Sequence, residues 1–242
     1  MLVSPRNPLN VGAAARAMAN FGFDDLAVVA PFAPNWREAR SAVGAPELLH
    51  NAKSVEHLAE AVADCTLVAG TGTLTHRKPE QPVVTLPAFA PIVQQEIARG
   101  GRVALVFGPE KRGLTRDDLS RCHLLVEIPT SPSQPSMNLG QAVAVCLYQL
   151  GVLSGPGDRV AAAPVPPQAL PAAPTPASAA ATLDRLAELI EETMEAAHYS
   201  PTNMQAANRR DLRLLLRRLA LTEHDSRRIL GFFRRILRLL RS

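Results

Sequence analysis

A chain of 242 residues that is 47% hydrophobic and 20% charged has enough apolar material for one packed domain and an appendage, which excludes wholesale disorder. Aromatic residues are only 4%, so aliphatic side chains must fill the core. The net charge of +4 favours an anionic partner without choosing between a nucleic acid and a membrane surface.

In chain order, Leu2-Val3 reads as the tail of a strand, Ser4 to Leu9 as a loop, and Gly12 to Asn20 as a helix that Asn10 can cap. Four short apolar runs bounded by turn residues read as buried strands: Leu26 to Val29, Thr66 to Ala69, Val103 to Phe107 and Leu124 to Ile128. Helical patterns lie between and after them, around Ser54 to Ala63, Pro91 to Arg99 and Asn138 to Leu150. Strands separated by helices predict an α/β domain, a parallel sheet with helices on both faces, over residues 1–153.

Composition then changes. Residues 154–181 are nearly all Ala, Pro, Gly and Ser, which predicts an extended linker. From 182 to 242 helical periodicity returns, with Thr182 as a candidate N-cap, a break at Ser200-Pro201, and helices over Gln205 to Ala220 and Thr222 to Leu240. This predicts a small all-α C-terminal domain. Its polar positions carry Arg209, Arg210, Arg213, Arg217, Arg218, Arg227, Arg228, Arg234, Arg235, Arg238 and Arg241. Two readings compete for it: an RNA clamp that neutralises phosphates, which the acidic first helix of a folded bundle favours, and a helix pair lying on an anionic membrane.

Cys65, Cys122 and Cys146 form no CxxC pair, so they read as reduced core thiols, and no metal site is expected. With no leader-like start and no run of 18 or more apolar residues, a soluble cytoplasmic protein is expected.

Three places could hold chemistry. Gly70-Thr71-Gly72 and Gly108 to Gly113 each follow a buried strand, where parallel α/β sheets bind ligands. Thr75 replaces the third glycine of a dinucleotide fingerprint, and no GxxxxGK[ST] occurs. Ser136 and Asn138 open the last helix of the domain, where ordinary N-capping is the simpler reading of each alone. Arg16, one and a half turns along the first helix, reads alone as a surface arginine.

The combination is more specific. N-x-G-x-x-x-R (Asn10 to Arg16), F-G-x-E-x-x-G-L (Phe107 to Leu114) and S-x-N-L-x-x-A-V (Ser136 to Val143) resemble, in order, the three motifs of the SPOUT superfamily of RNA 2′-O-methyltransferases. The resemblance covers residues 1 to about 152. It implies a SPOUT fold with a C-terminal trefoil knot, S-adenosylmethionine as cofactor with S-adenosylhomocysteine as product, and a homodimer. It implies cofactor contacts from Thr71, Gly72, Gly108, Glu110, Ile128, Met137, Asn138 and Leu139. Arg16, Asn10, Glu110, Ser136 and Asn138 are the implied catalytic group, with Arg16 reaching the partner subunit's site. The distal helical module is most similar to that of members that methylate a tRNA ribose at position 32. An rRNA methyltransferase and a catalytically silent RNA-binding relative are the alternatives. Members normally carry a longer strand before the first motif than Met1-Leu2-Val3.

Overall fold

The computed structural model describes residues 1–72, 79–154, 177–199 and 204–241. Most of the expected linker, Thr75 and Ser200-Pro201 fall outside these residues.

Among the described residues, seven short parallel strands make two sheets. The first has the order β1 (Leu2–Val3), β2 (Ala27–Val29), β3 (Lys53–Val55). The second has the order β5 (Val83–Thr85), β7 (Leu124–Glu127), β4 (Leu67–Thr71), β6 (Val103–Val106). The sheets meet where β1 runs beside the end of β6. Leu2 bridges Phe107, Val3 N–H donates to the Phe107 carbonyl at 2.8 Å, and Phe107 N–H donates to that of Met1 at 2.9 Å. The short first strand is therefore the seam between the two halves.

The side-chain period of two sends alternate residues to opposite layers. In β2, Val28 joins a core with Val11, Ala14, Phe89, Val126 and Cys146, whereas Ala27 and Val29 join Leu58, Val62, Val68 and Val106. The first layer is covered by α1 (Pro8–Asn20), α4 (Leu86–Ala98) and α6 (Leu139–Ser154), the second by α3 (Leu58–Ala61) and α5 (Arg116–Ser120). Helices α1 and α6 approach closely because small residues face each other. A Cβ on Gly140 would come within 2.7 Å of the Ala13 Cβ.

Several boundaries differ from the sequence reading. Helix α1 starts at Pro8, with Asn7 as its N-cap accepting from Leu9 N–H at 3.0 Å, so Asn10 is not the cap but a first-turn residue. Strand β3 takes residues assigned above to a helix that shrinks to Leu58–Ala61. Its sequence, Lys53-Ser54-Val55, is too polar to signal a strand, because it lies at a sheet edge. Edge strand β5 runs directly into α4, which begins at Leu86 and carries Pro91 inside it, where the missing N–H forfeits one ladder bond. Helix α2 (Pro46–His50) had no counterpart in the reading.

The C-terminal helices are α7 (Ala180–Ala196), α8 (Gln205–Arg218) and α9 (Glu223–Leu240). Helix α7 begins two residues before Thr182, and its cap is Ala179, because its first N–H groups find partners elsewhere. Ala180 N–H donates to the Cys65 carbonyl at 2.8 Å and Ala181 N–H to that of Ala63 at 3.0 Å. Thr222 caps α9, accepting from Asp225 N–H at 3.2 Å.

Two of the arginines read above at polar helix positions, Arg213 and Arg217, are buried between α8 and the first domain. Arg217 (4% exposed) donates to Asp184 at 2.8 Å, to the Arg121 carbonyl at 2.9 Å and to the Arg213 carbonyl at 3.3 Å. Arg213 pairs with Asp117, and Arg121 also pairs with Asp184. The carboxylates come from α5 and α7, so the network joins α5, α7 and α8. Arg209 binds the buried Glu191, whereas Arg228, Arg234, Arg235 and Arg238 are exposed on α9.

Removing one member of a buried ion pair leaves the other charged and unsolvated, which costs about 3–5 kcal/mol. Asp184→Ala should therefore lower the urea unfolding free energy by about 3 kcal/mol, and a loss below about 1 kcal/mol would contradict a structural role for the network. A second prediction concerns His123, whose Nδ1 accepts from Val68 N–H at 3.0 Å. Burial, then the nearby Arg217 charge, pushes its pKa from 6.5 down to about 3. The folded protein thus refuses a proton that the unfolded chain binds below pH 6.5, so stability is full above that pH and declines as pH falls towards about 3. His123→Asn, which keeps an acceptor for Val68, should flatten the decline in unfolding midpoint between pH 7.5 and 4.5.

Candidate active site

Three loops leave the carboxyl ends of β4, β6 and β7 and converge on a cavity of about 510 Å³. Thr71 ends β4 and Gly72 follows it, Phe107 to Leu114 follow β6, and Ile128 to Met137 follow β7, while Leu139 and Ala142 of α6 close the wall. Of the cofactor-contact residues implied by resemblance, Thr71, Gly72, Gly108, Glu110, Ile128, Met137 and Leu139 line this cavity. Ser136 lines it as well and is exposed.

The second loop folds back on itself. Gly113 has φ +63° and donates its N–H to the Pro109 carbonyl at 2.9 Å. A Cβ on Gly108 would stand 2.3 Å from the Leu114 backbone nitrogen, so only glycine permits this turn. Thr71 Oγ1 donates to the Val106 carbonyl at 3.0 Å and ties the end of β4 to the end of β6, where the two loops begin.

At the lip, three motif residues form one hydrogen-bonded chain. Asn10 Nδ2 donates to Glu110 Oε1 at 2.8 Å, and Asn138 Nδ2 donates to Asn10 Oδ1 at 2.9 Å. Asn138 Oδ1 meanwhile accepts from Gly140 N–H at 2.9 Å and Gln141 N–H at 3.4 Å, capping α6. The carboxylate of Glu110 also accepts the backbone N–H groups of Arg6 at 3.2 Å and Asn7 at 3.3 Å. Burial disfavours its charged form, but the bonds from Asn10 and from backbone N–H groups outweigh this and hold its pKa below the usual carboxylate range. Glu110 is thus an anionic anchor and not an acid poised to give up a proton at neutral pH.

Not every motif residue joins this group. Arg16 is exposed on α1 and is absent from the residues lining the cavity of its own chain. Arg6 and Asn7 were missed as partners of Glu110. Asn7-Pro8 signals the helix start, an N-cap followed by proline at the first helical position, but no local signal reports the contact of these N–H groups with Glu110. Among the described residues no group of three or more His, Cys, Asp or Glu is placed to hold a metal, and no helix is long and apolar enough to cross a membrane.

Residues 1–148 match the model of the SpoU rRNA Methylase family. The chain belongs to this family. Among curated SpoU relatives, the tRNA (cytidine/uridine/adenosine-2′-O-)-methyltransferase TrmJ of Pseudomonas aeruginosa (strain UCBPP-PA14) is 38% identical over 151 residues, covering 62% of this chain and 58% of that protein. The tRNA (cytidine-2′-O-)-methyltransferase TrmJ of Methanocaldococcus jannaschii is 38% identical over 152 residues, 62% of this chain and 65% of its own. The aligned part of the chain thus spans under two thirds of these relatives' length. Among solved structures, TrmJ from Z. mobilis ZM4 superposes with a TM-score of 0.81 at 30% identity, over 97% of this chain and 96% of that one. That likeness reaches beyond the SpoU domain into the C-terminal helices.

Proposed function

We propose that this chain is an S-adenosylmethionine-dependent methyltransferase of a ribose 2′-hydroxyl in tRNA, acting as a homodimer, with nucleotide 32 of the anticodon loop as the target. The observation that carries the reading is the Glu110–Asn10–Asn138 chain at the lip of the cavity. Support for tRNA comes from the TrmJ relatives named above.

The cavity fits the cofactor. Its volume of about 510 Å³ lies within the roughly 300–1,000 Å³ usual for small-molecule sites. Phe107, Leu114, Ile128, Met137 and Leu139 offer apolar walls, and among the described residues nothing stands within 4 Å of where a Gly72 Cβ would be. Thr71, Gly72, Gly108, Glu110, Ile128, Met137, Asn138 and Leu139 would hold it. When bound, S-adenosylmethionine supplies an electrophilic methyl on a sulfonium centre.

The protein's remaining task is alignment and removal of one proton. Glu110 fixes Asn10, and Asn10 fixes Asn138, so Asn138 and Ser136 orient the ribose and cofactor at the mouth. Arg16 acts as a positioner of phosphate and hydroxyl, because a guanidinium has no lone pair free to take a proton at neutral pH and is a poor base. The proton passes to the target's phosphate or to water.

Arg16 follows Asn10 by six residues on one helix, which places it about 120° away around the axis and about 9 Å along it. That separation, with its exposure, supports action on the cofactor site of a second copy. The exposed arginines of α9 support an RNA-binding module, with a membrane-surface role as the rival that liposome flotation would reveal.

Purified protein, labelled cofactor and unmodified tRNA should give one 2′-O-methylated ribose. Arg16→Ala should lower kcat by about 100-fold or more while leaving S-adenosylhomocysteine affinity, measured by calorimetry, unchanged. Asn138→Ala should weaken both. An Arg16→Ala enzyme with normal turnover would remove Arg16 from the reaction, and absence of any thermal shift with S-adenosylhomocysteine would favour the silent RNA binder.

A further inference from the structure

Beside the Asn10–Glu110 pair, two side chains have no part in the mechanism above. The loops after β1 and β2 are tied to each other by Phe32 N–H donating to the Pro5 carbonyl at 3.2 Å, and to the cavity wall by Arg6 N–H on Glu110. Both loops leave their strands through a non-glycine residue of positive φ, Ser4 (+44°) and Ala30 (+41°). Each is held by its own N–H on the neighbouring strand, Ser4 to Val29 and Ala30 to Val55, both at 2.8 Å. The backbone here is fixed, yet the side chains point outward. Phe32 is 72% exposed, in a chain with only 4% aromatic residues. The Arg6 guanidinium carbon lies 5.4 Å from the centre of its ring.

We infer that Phe32 and Arg6 form a stacking platform for an unpaired nucleotide of the RNA substrate, next to the one whose ribose meets Asn10, Glu110 and Asn138. This rests on the RNA methyltransferase reading. Arg6 is joined through its own backbone to the carboxylate at the lip of the site, so an RNA held at that lip passes beside Phe32. Every nucleobase offers a π-face to an aromatic ring, and a guanidinium beside that ring suits the adjoining phosphate. Arg6 covers one side of the ring, and the exposure of Phe32 leaves the rest open to a base. A rigid backbone under an exposed ring also means that little ordering is needed when RNA arrives.

The test uses the full chain with unmodified tRNA. Phe32→Ala should raise the KM for tRNA about ten-fold, with a far smaller change in kcat and no change in S-adenosylhomocysteine affinity. Phe32→Trp should restore the KM, and Phe32→Leu should not. Arg6→Ala should also raise the KM and make the salt dependence of tRNA binding shallower by about 0.7–0.9 in the log–log slope. Three results would each overturn the platform: a Phe32→Ala KM within two-fold of the parent, rescue by leucine equal to that by tryptophan, or halving of the mass by light scattering, which would make the ring a contact between copies. Filter retention of tRNA, run in parallel, separates the two claims. If the parent binds tRNA without methylating it, the functional reading fails, while the platform stands or falls on whether Phe32→Ala weakens retention.

Discussion

Asn10 satisfies both ends of its amide at once, giving its N–H to Glu110 and accepting from Asn138. The three residues come from α1, the loop after β6 and the cap of α6, separated by 100 and 128 positions in the chain. A carboxylate can only accept and an amide can do both, so the order Glu, Asn, Asn fixes the direction of every bond. The charge on Glu110 matters here. A protonated carboxyl would offer one fewer acceptor to the N–H groups of Arg6, Asn7 and Asn10, which is why those bonds lower its pKa against the opposing effect of burial.

The chain works only because the helices carrying it cannot drift. Gly140 lies against Ala13 with no space for a Cβ, and a Cβ on Gly12 would come within 2.3 Å of the Ser41 hydroxyl. The small residues of NVGAAAR thus have a packing role beside their place in a motif. They bring α1 close enough to α6 for two short asparagine side chains to meet. Likewise, Gly108 lets the loop after β6 fold onto Leu114, and this presents Glu110 at the lip. Backbone proximity, set by missing side chains, is what positions the polar ones.

Legibility in the sequence followed burial. Strands β2, β4, β6 and β7, whose residues are apolar because they are covered, could be read directly, whereas the edge strands β3 and β5 could not. The same reason explains the arginines. A run of charge along a helix reads as a solvated face, yet Arg213 and Arg217 are inside, because Asp117 and Asp184 meet them from elements far away in sequence. Nothing local in QAANRRDLRLLLRR marks which arginines find such partners. The site was legible chiefly through its motifs. Most of the second and third motif segments line one cavity and Asn10 bonds to Glu110 at its lip, but Arg16 lies apart, and the roles of Arg6 and Asn7 depend on a loop contact across more than 100 positions that periodicity does not report.

Arg16 shows how helix geometry limits a motif. It lies with Asn10 in one seven-residue motif, but a helix advances about 100° per residue, so at six residues apart the two cannot face the same group. Asn10 is turned towards Glu110 and Asn138 inside its own chain, and this obliges Arg16 to face outward, where it is exposed. A motif that binds inward with one residue and exposes another suits the shared site proposed above. The small residues between them, Gly12, Ala13, Ala14 and Ala15, pack so tightly that α1 cannot rotate to bring Arg16 round without losing the Asn10 contacts. In the proposed dimer, the residue that completes a site is therefore fixed by the same helix that holds the neighbouring site's lip in place.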